Sequence, residues 1–309
     1  MKKHFKKLLL MALMAVMAVG LIACGTDKSD NESTKEEKTS VTITSLDASK
    51  NEIELEVPYN PKRIAILDLA SLDIIDELGV GDRVVGMAST SIDYLEKYSN
   101  DASIKNLGTI KEADLEAVME CEPDIIFIGG RLSKSYDALS EIAPVVYLAT
   151  DTNEGLVNSV SKNAKTIASI FGMEDKVDSL MSDFGARIDA IKKISSGKTA
   201  LVGMTTSGSF NLLGNDGRCS LIGVEAGFNN LTAAGSTSTH GNESSFETVV
   251  QQNPDYIFVM DRDSAISTAG AKTAKEIVEN ELVKTTDAYK NNHIIYLEHS
   301  NVWYTAEGG

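Results

Sequence analysis

Asn253-Pro254-Asp255-Tyr256-Ile257-Phe258-Val259-Met260-Asp261-Arg262 has a twin in the same chain, Glu122-Pro123-Asp124-Ile125-Ile126-Phe127-Ile128-Gly129-Gly130-Arg131, with matched residues 131 positions apart. Each copy follows an amphipathic stretch, Asp114-Leu115-Glu116-Ala117-Val118 in the first and Ser245-Phe246-Glu247-Thr248-Val249 in the second. Each unit reads as a short helix, a proline that stops it, and an apolar run rich in Ile, Val and Phe that is too short for a helix and suits a buried parallel strand. The constant offset predicts two similar lobes. Each arginine falls where its strand leaves the sheet, and open α/β sheets bind ligands beyond the carboxyl ends of their strands. Two lobes facing each other would therefore offer two inward-facing arginines.

The rest of the chain extends this alternation. Val41-Thr42-Ile43-Thr44 and Glu52 to Val57 alternate around a polar turn, which predicts a hairpin, and Arg63 to Leu67 predicts the first buried strand. Strands at Arg83–Met87, Asp124–Ile128 and Val145–Leu148 are interleaved with helices at Ser71–Leu78, Asp114–Met119, Ser135–Ile142 and Gly155–Phe171. In Met173–Ile194 the apolar residues Val177, Leu180, Met181, Phe184, Ile188 and Ile191 recur at helical spacing, predicting a rigid helix of about 30 Å between the lobes. A strand at Thr199–Met204, a Gly214–Arg218 turn, a helix at Ser220–Ala226 and a last strand at His293–Leu297 follow. The fold class is α/β, with two Rossmann-like lobes joined by a single long helix and a ligand cleft between them. The expected divisions are a signal at 1–23, a tether at 24–40, a first lobe at 41–171, the linking helix at 172–196 and a second lobe at 197–309.

The first 23 residues carry Lys2, Lys3, Lys6 and Lys7, then an apolar run from Leu8 to Val19 too short to span a membrane comfortably, then Leu21-Ile22-Ala23-Cys24. That order predicts a secretory signal with a cleavage point before Cys24. Residues 25–40 are polar and lack apolar periodicity, so they serve as a tether. The chain carries 29 Lys and Arg against 45 Asp and Glu, a formal balance of −16; loss of the four signal lysines takes it to −20. So acidic a surface argues against a nucleic-acid partner. Cys121 and Cys219 fall in different lobes and read as apolar packing residues, because disulfide frameworks and zinc sites need more Cys or His at closer spacing. The chain has no His-Glu-x-x-His helix, Gly-x-Ser-x-Gly elbow or phosphate-binding glycine loop, so an enzyme is not expected.

A signal ending at a cysteine, a tether and two α/β lobes with a rigid helical connection resemble the substrate-binding proteins of bacterial iron-siderophore and cobalamin ABC importers. The resemblance is greatest to the catecholate-siderophore-binding lipoproteins of the enterobactin and petrobactin type. It is carried by Pro61-Lys62-Arg63-Ile64, both Pro-Asp strands, Gly129-Gly130-Arg131, Gly217-Arg218, Asp261-Arg262 and Trp303-Tyr304. It implies a lipid on Cys24 holding the protein at the outer face of the cell membrane. It also implies a monomer with no intrinsic cofactor that captures a ferric catecholate siderophore and passes it to an ABC permease and its ATPase.

By the same resemblance Arg131, Arg218 and Arg262 line the cleft and hold catecholate oxygens. His240 and Tyr304 complete the coordination of the siderophore's iron, with His299 a nearby competitor. Glu116 and Glu247 dock on the permease. Arginine suits an anionic aromatic ligand because its guanidinium is a permanently charged fork that also stacks on rings. Phenolate and imidazole are donors that iron(III) accepts. Three arginines facing an empty cavity would repel one another. The local alternatives are pairing of Arg218 with Asp216 and of Arg262 with Asp261 or Asp263. The resemblance further implies a closing helix after Trp303-Tyr304 that this sequence does not reach, which would leave Tyr304 loosely held. Other readings are a haem, cobalamin or hydroxamate binder of the same fold, a surface metal-dependent hydrolase, and a two-lobed sensor.

Overall fold

The structure, a computed structural model, describes residues 38–234 and 236–309. The expected signal, Cys24 and most of the tether lie outside them. Strands β1 (Ser40–Leu46) and β2 (Glu52–Pro58) form the expected antiparallel hairpin. Its turn is held by Asp47, whose Oδ1 accepts from the Ser49 and Asn51 amides at 2.8 Å each.

The first sheet is built from β3 (Ile64–Leu67), β4 (Val84–Met87) and β5 (Lys105–Asn106); a small hairpin of β6 (Gly108–Thr109) and β7 (Glu112–Ala113) stands apart, and β8 (Ile125–Ile128) and β9 (Val145–Tyr147) complete the sheet. Its order is β5-β4-β3-β8-β9 and every pairing is parallel. Ile64, Ile66, Ile125 and Phe127 enter one apolar cluster, while Ala65, Leu67, Ile126 and Ile128 enter another on the opposite face. Because successive strand residues point to opposite faces, an unbroken apolar run is what a sheet covered on both sides requires.

The second sheet contains β10 (Thr199–Thr206), β11 (Ser209–Leu212), β12 (Asn229–Asn230), β13 (Asn242–Glu243), β14 (Tyr256–Asp261) and β15 (Ile294–Tyr296). Its main path runs β13-β11-β10-β14-β15, with β12 also beside β10. The face alternation repeats: Ala200, Val202, Met204, Phe258 and Met260 pack on one side, Leu201, Ile257 and Val259 on the other. The sequence reading assigned no strand at Ser209–Leu212, yet β11 returns antiparallel to β10. Ser207 at φ 51° and Gly208 at φ 83° make the two-residue turn with positive φ at both positions that tight hairpins favour.

The duplicated unit has a structural as well as a positional logic. Asp114 accepts from the Ala117 amide at 3.0 Å and Ser245 from the Thr248 amide at 3.3 Å, each capping its short helix. After the proline, Asp124 accepts from the Lys62 and Arg63 amides at 2.7 and 2.9 Å; Asp255 accepts from the Thr199 amide at 2.8 Å. Both aspartates thus fasten the start of the neighbouring strand, β3 or β10.

Two helices are shorter than expected. Ser135–Ile142 is a tight 3-10 segment, Gly130–Ser135, followed by a helix at Tyr136–Ser140, and the helix expected to reach Ala226 ends at Gly223. The 22-residue helix Glu174–Ser195 connects the two sheets. Val177 near its start is buried in the first lobe's core, and Ser195 at its end is buried and donates its hydroxyl to the Ala226 carbonyl of the second. The last helix, Ser300–Thr305, touches both lobes: Val302 and the following Ala306 pack on the first lobe's core, Trp303 and Tyr304 on the second's.

Candidate functional site

Three arginines surround one tyrosine. The guanidinium carbons of Arg218, Arg262 and Arg131 lie 4.5, 5.5 and 6.0 Å from the centre of the Tyr304 ring. Arg131 follows the end of β8 and Arg262 the end of β14, where the repeat places them; Arg218 comes from the turn after β11, and Tyr304 from the last helix. Arg131, Arg218 and Tyr304 line a cleft of about 270 Å³ together with Asp68, Gly129, Gly130, Thr150, Leu156, Trp303 and Glu307. A second chamber of about 260 Å³ shares Asp68, Gly129, Gly130, Thr150 and Glu307 and extends toward Ser71, Ile74, Asn163 and Ile167 of the first lobe.

Local contacts fix Arg262, Arg218 and Tyr304. Arg262 donates from Nε to the Tyr304 hydroxyl at 3.1 Å and from Nη1 to Thr206 Oγ1 at 3.3 Å. It also pairs with Asp263 at 3.2 Å, so the local pairing coexists with its contact to Tyr304; Arg262 is not among the residues lining the cleft of Arg131 and Arg218, and instead lines a separate hollow with Ser207, Gly208 and Thr268. Arg218 donates to the Thr239 carbonyl at 2.8 Å; Asp216 is engaged instead by the Thr237 amide at 2.7 Å. The expectation that Tyr304 is loosely held is corrected. Its hydroxyl is hydrogen-bonded, its ring lies among three guanidinia, and Ala306 beyond it is buried in the first lobe's core.

Carboxyls stand behind the arginines and offset part of the repulsion expected among three cations, which remains between Arg131 and Arg218. Asp263 is 4% exposed beside Arg262, and its other oxygen accepts from the Ser207 amide at 2.6 Å. Burial raises the Asp68 carboxyl above its ordinary range, while hydrogen bonds from Ser71 and the charge of Arg131 pull it back. Burial pushes Glu307 up to about 7, opposed by the Cys219 amide at 2.7 Å and by Arg218. Arg218 is itself lowered, first by desolvation and then by Arg131, with Tyr304 and Glu307 acting the other way. Gly129 is required beneath this cluster, because a Cβ there would lie 2.4 Å from Asp68 Oδ1.

The remaining candidates are placed elsewhere. His240 is exposed on the loop before β13 and is not among the residues lining the cleft; its carbonyl accepts from Asn211 Nδ2 at 2.8 Å. His299 is exposed at the start of the last helix. Among the described residues no group of three or more His, Cys, Asp or Glu side chains is arranged to hold a metal ion. Glu116 and Glu247 are exposed at equivalent places, each the second residue of a capped short helix. Cys121 and Cys219 are buried. Sequence reasoning missed Asp68, Asp263 and Glu307. In the sequence Asp263 reads only as a local partner of Arg262, and nothing near Asp68 or Glu307 marks a cleft.

Residues 64–300 match the family model described as "Periplasmic binding protein". The petrobactin-binding protein YclQ of Bacillus subtilis is 37% identical over 98% of this chain and 94% of its own length. The YclQ crystal structure superposes with a TM-score of 0.80, covering 87% of this chain and 93% of that one. The periplasmic catecholate-siderophore-binding protein VctP of Vibrio cholerae has a TM-score of 0.78 at 31% identity, covering 87% and 95%. The ferric-anguibactin-binding protein FatB of Vibrio anguillarum is 26% identical over 80% of this chain and 78% of its own length.

Proposed function

The chain belongs to the periplasmic binding protein family, and we propose that it is the substrate-binding component of an ABC importer, capturing a ferric catecholate siderophore for iron uptake. The observation that carries this reading is the convergence of Arg131, Arg218 and Arg262 on the ring of Tyr304, drawn from both lobes. A ferric catecholate presents anionic oxygens and flat aromatic rings. Guanidinium groups answer the oxygens with charged N–H donors and the rings with their own planes, and Tyr304 supplies an aromatic floor. The names of YclQ and VctP, which describe petrobactin and catecholate-siderophore binding, support the same ligand class.

Roles within the site follow. Arg131, Arg218 and Arg262 bind the anion, and the carboxyls of Asp68, Asp263 and Glu307 stand behind them, with Asp263 paired to Arg262. Tyr304 lies against the ligand and is the phenol within reach of its iron. His240 stands outside the lining, so its imidazole would join the iron only if the loop carrying it moved inward. Glu116 and Glu247, one on each lobe, serve as the contacts to the permease, and the lipid on Cys24 would keep the protein at the membrane's outer face. We read the chain as a receptor with no catalytic step, working as a monomer.

Absorbance titration with a ferric bis-catecholate tests this reading. Saturable binding should shift the ligand's charge-transfer band, and Tyr304→Phe should change both the band and the affinity. A ligand spectrum unmoved by wild-type protein would remove the catecholate assignment. A shift that His240→Ala also alters would bring the histidine into the iron's shell.

A further inference from the structure

The helix Leu156–Phe171 belongs to the first lobe, where Ile167 and Ile170 are fully buried in the core, and its first residue lines the cleft. Its cap residue, Gly155, lies at φ 82° and brings no side chain to the free amides of the first turn. Those amides carry the positive end of the helix dipole and need an acceptor. The acceptor comes from the other lobe. Glu225, just beyond the short helix Ser220–Gly223, accepts from the Val157 amide at 3.1 Å.

The fit is close. A Cβ at position 155 would sit 3.0 Å from Glu225 Oε1, so glycine is what lets the carboxylate reach this helix end. The second oxygen of Glu225 is buried without a hydrogen-bond partner, which leaves the carboxylate held largely by the helix terminus. None of the ion pairs among the described residues joins one lobe to the other. Two other lobe-to-lobe hydrogen bonds are neutral: Asn301 Nδ2 donates to the Ser91 carbonyl at 2.6 Å, and Ser91 Oγ to the Ala265 carbonyl at 3.4 Å. Glu225 is thus a charged group of the second lobe seated on a dipole of the first. It shares one chain segment with Arg218, separated only by Cys219, the short helix and Val224.

We propose that Glu225 is a positioning residue for ligand capture, a clasp between the lobes that holds Arg218 at the distance from Arg131 that one bound anion requires. The linking helix, the last helix and the hydrogen bonds of Asn301 and Ser91 also join the lobes. The clasp adds a charged contact at the Leu156 edge of the cleft, and breaking it lets the second lobe swing its arginine away. This rests on the anion-binding reading of the cleft for its purpose, but not for its mechanics.

Its test is therefore made first without ligand. Spin labels on Asp137→Cys and Lys290→Cys, both exposed and one on each lobe, report the lobe separation by pulsed dipolar spectroscopy, with Cys24 replaced by Ser and the two other cysteines buried. Glu225→Ala should move population to a longer distance, raising the open-to-closed ratio about 5- to 30-fold, the scale of a lost helix cap. Glu225→Gln keeps the shape and an acceptor oxygen, so it should recover part of the closed population, which also separates the clasp from a folding defect. Ferric catecholate should then leave Glu225→Ala faster than wild type, with Glu225→Gln between. An unchanged distance distribution in Glu225→Ala, or a Glu225→Gln protein as open as the alanine variant, would overturn the proposal. A shift in distance with no ligand binding in any form would keep the clasp and reject the catecholate reading.

Discussion

Replacing Arg218 by alanine should weaken ligand binding while leaving the fold almost as stable as before. This guanidinium is held at a cost. Burial lowers its pKa, the charge of Arg131 adds to that effect, and Tyr304 and Glu307 offset part of it. Its gains are one hydrogen bond to the Thr239 carbonyl at 2.8 Å and contact with the Tyr304 ring at 4.5 Å. Alanine forfeits both but also relieves the desolvation and the repulsion, so the net change in stability should be within about 1 kcal/mol. The bound state has no such compensation. A charge-assisted contact to an anion is worth about 1.5 to 3 kcal/mol, which corresponds to about 13- to 160-fold weaker binding. Trp303 is the sole tryptophan of the chain and lines the cleft, so its fluorescence reports occupancy directly. Titration of both proteins with a ferric bis-catecholate, beside urea unfolding of each, gives the two quantities. Arg218→Lys should fall between them, because it keeps the charge and loses the fork. An affinity within about threefold of wild type, at equal stability, would refute the role given to this arginine.

Glu307 should make the ligand-free protein pH-sensitive. Its carboxyl is raised from 4.5 to about 7 by burial, so the folded protein keeps a proton that the unfolded chain has released. Its contribution to stability is complete below about pH 4.5 and is lost as pH rises through about 7, a change on the order of 3 kcal/mol; unfolding of Glu307→Gln should lack this dependence, and an identical pH profile would refute it. Gly129→Ala should cost about 1 to 3 kcal/mol in a denaturant titration, since its methyl would press on Asp68 at 2.4 Å, and an unaltered midpoint would show that the cleft floor can shift. Glu116→Ala and Glu247→Ala should leave ligand affinity unchanged and reduce uptake by the reconstituted importer. Full uptake in the double variant would move the docking surface elsewhere.

The duplicated strand made the architecture legible. Four- and five-residue apolar runs opened by a Pro-Asp step admit few other readings, and both Arg131 and Arg262 stand where the repeat puts them. The hairpin of β10 and β11 escaped notice because its strand residues, Ser209 to Leu212, are too few to show a period, although Ser207-Gly208 carried the turn signal. Residue type pointed to the arginines and to Tyr304. It could not reveal that buried carboxyls stand behind them, because Asp68 and Glu307 meet only after the chain has crossed from the first strand of one lobe to the end of the other. His240 is the opposite case. Family position drew attention to it, and the folded chain leaves it exposed outside the cleft lining, tied only through its own carbonyl to Asn211.

Trp303 quenching across a panel of metal complexes at one pH and salt concentration tests the central claim most directly. The arginine cage should bind anionic ferric catecholates saturably and tightly, should bind uncharged ferric hydroxamates and cobalamin far more weakly, and should lose catecholate affinity as salt rises. Equal binding of charged and uncharged complexes, or no saturable response to any ferric catecholate, would contradict it.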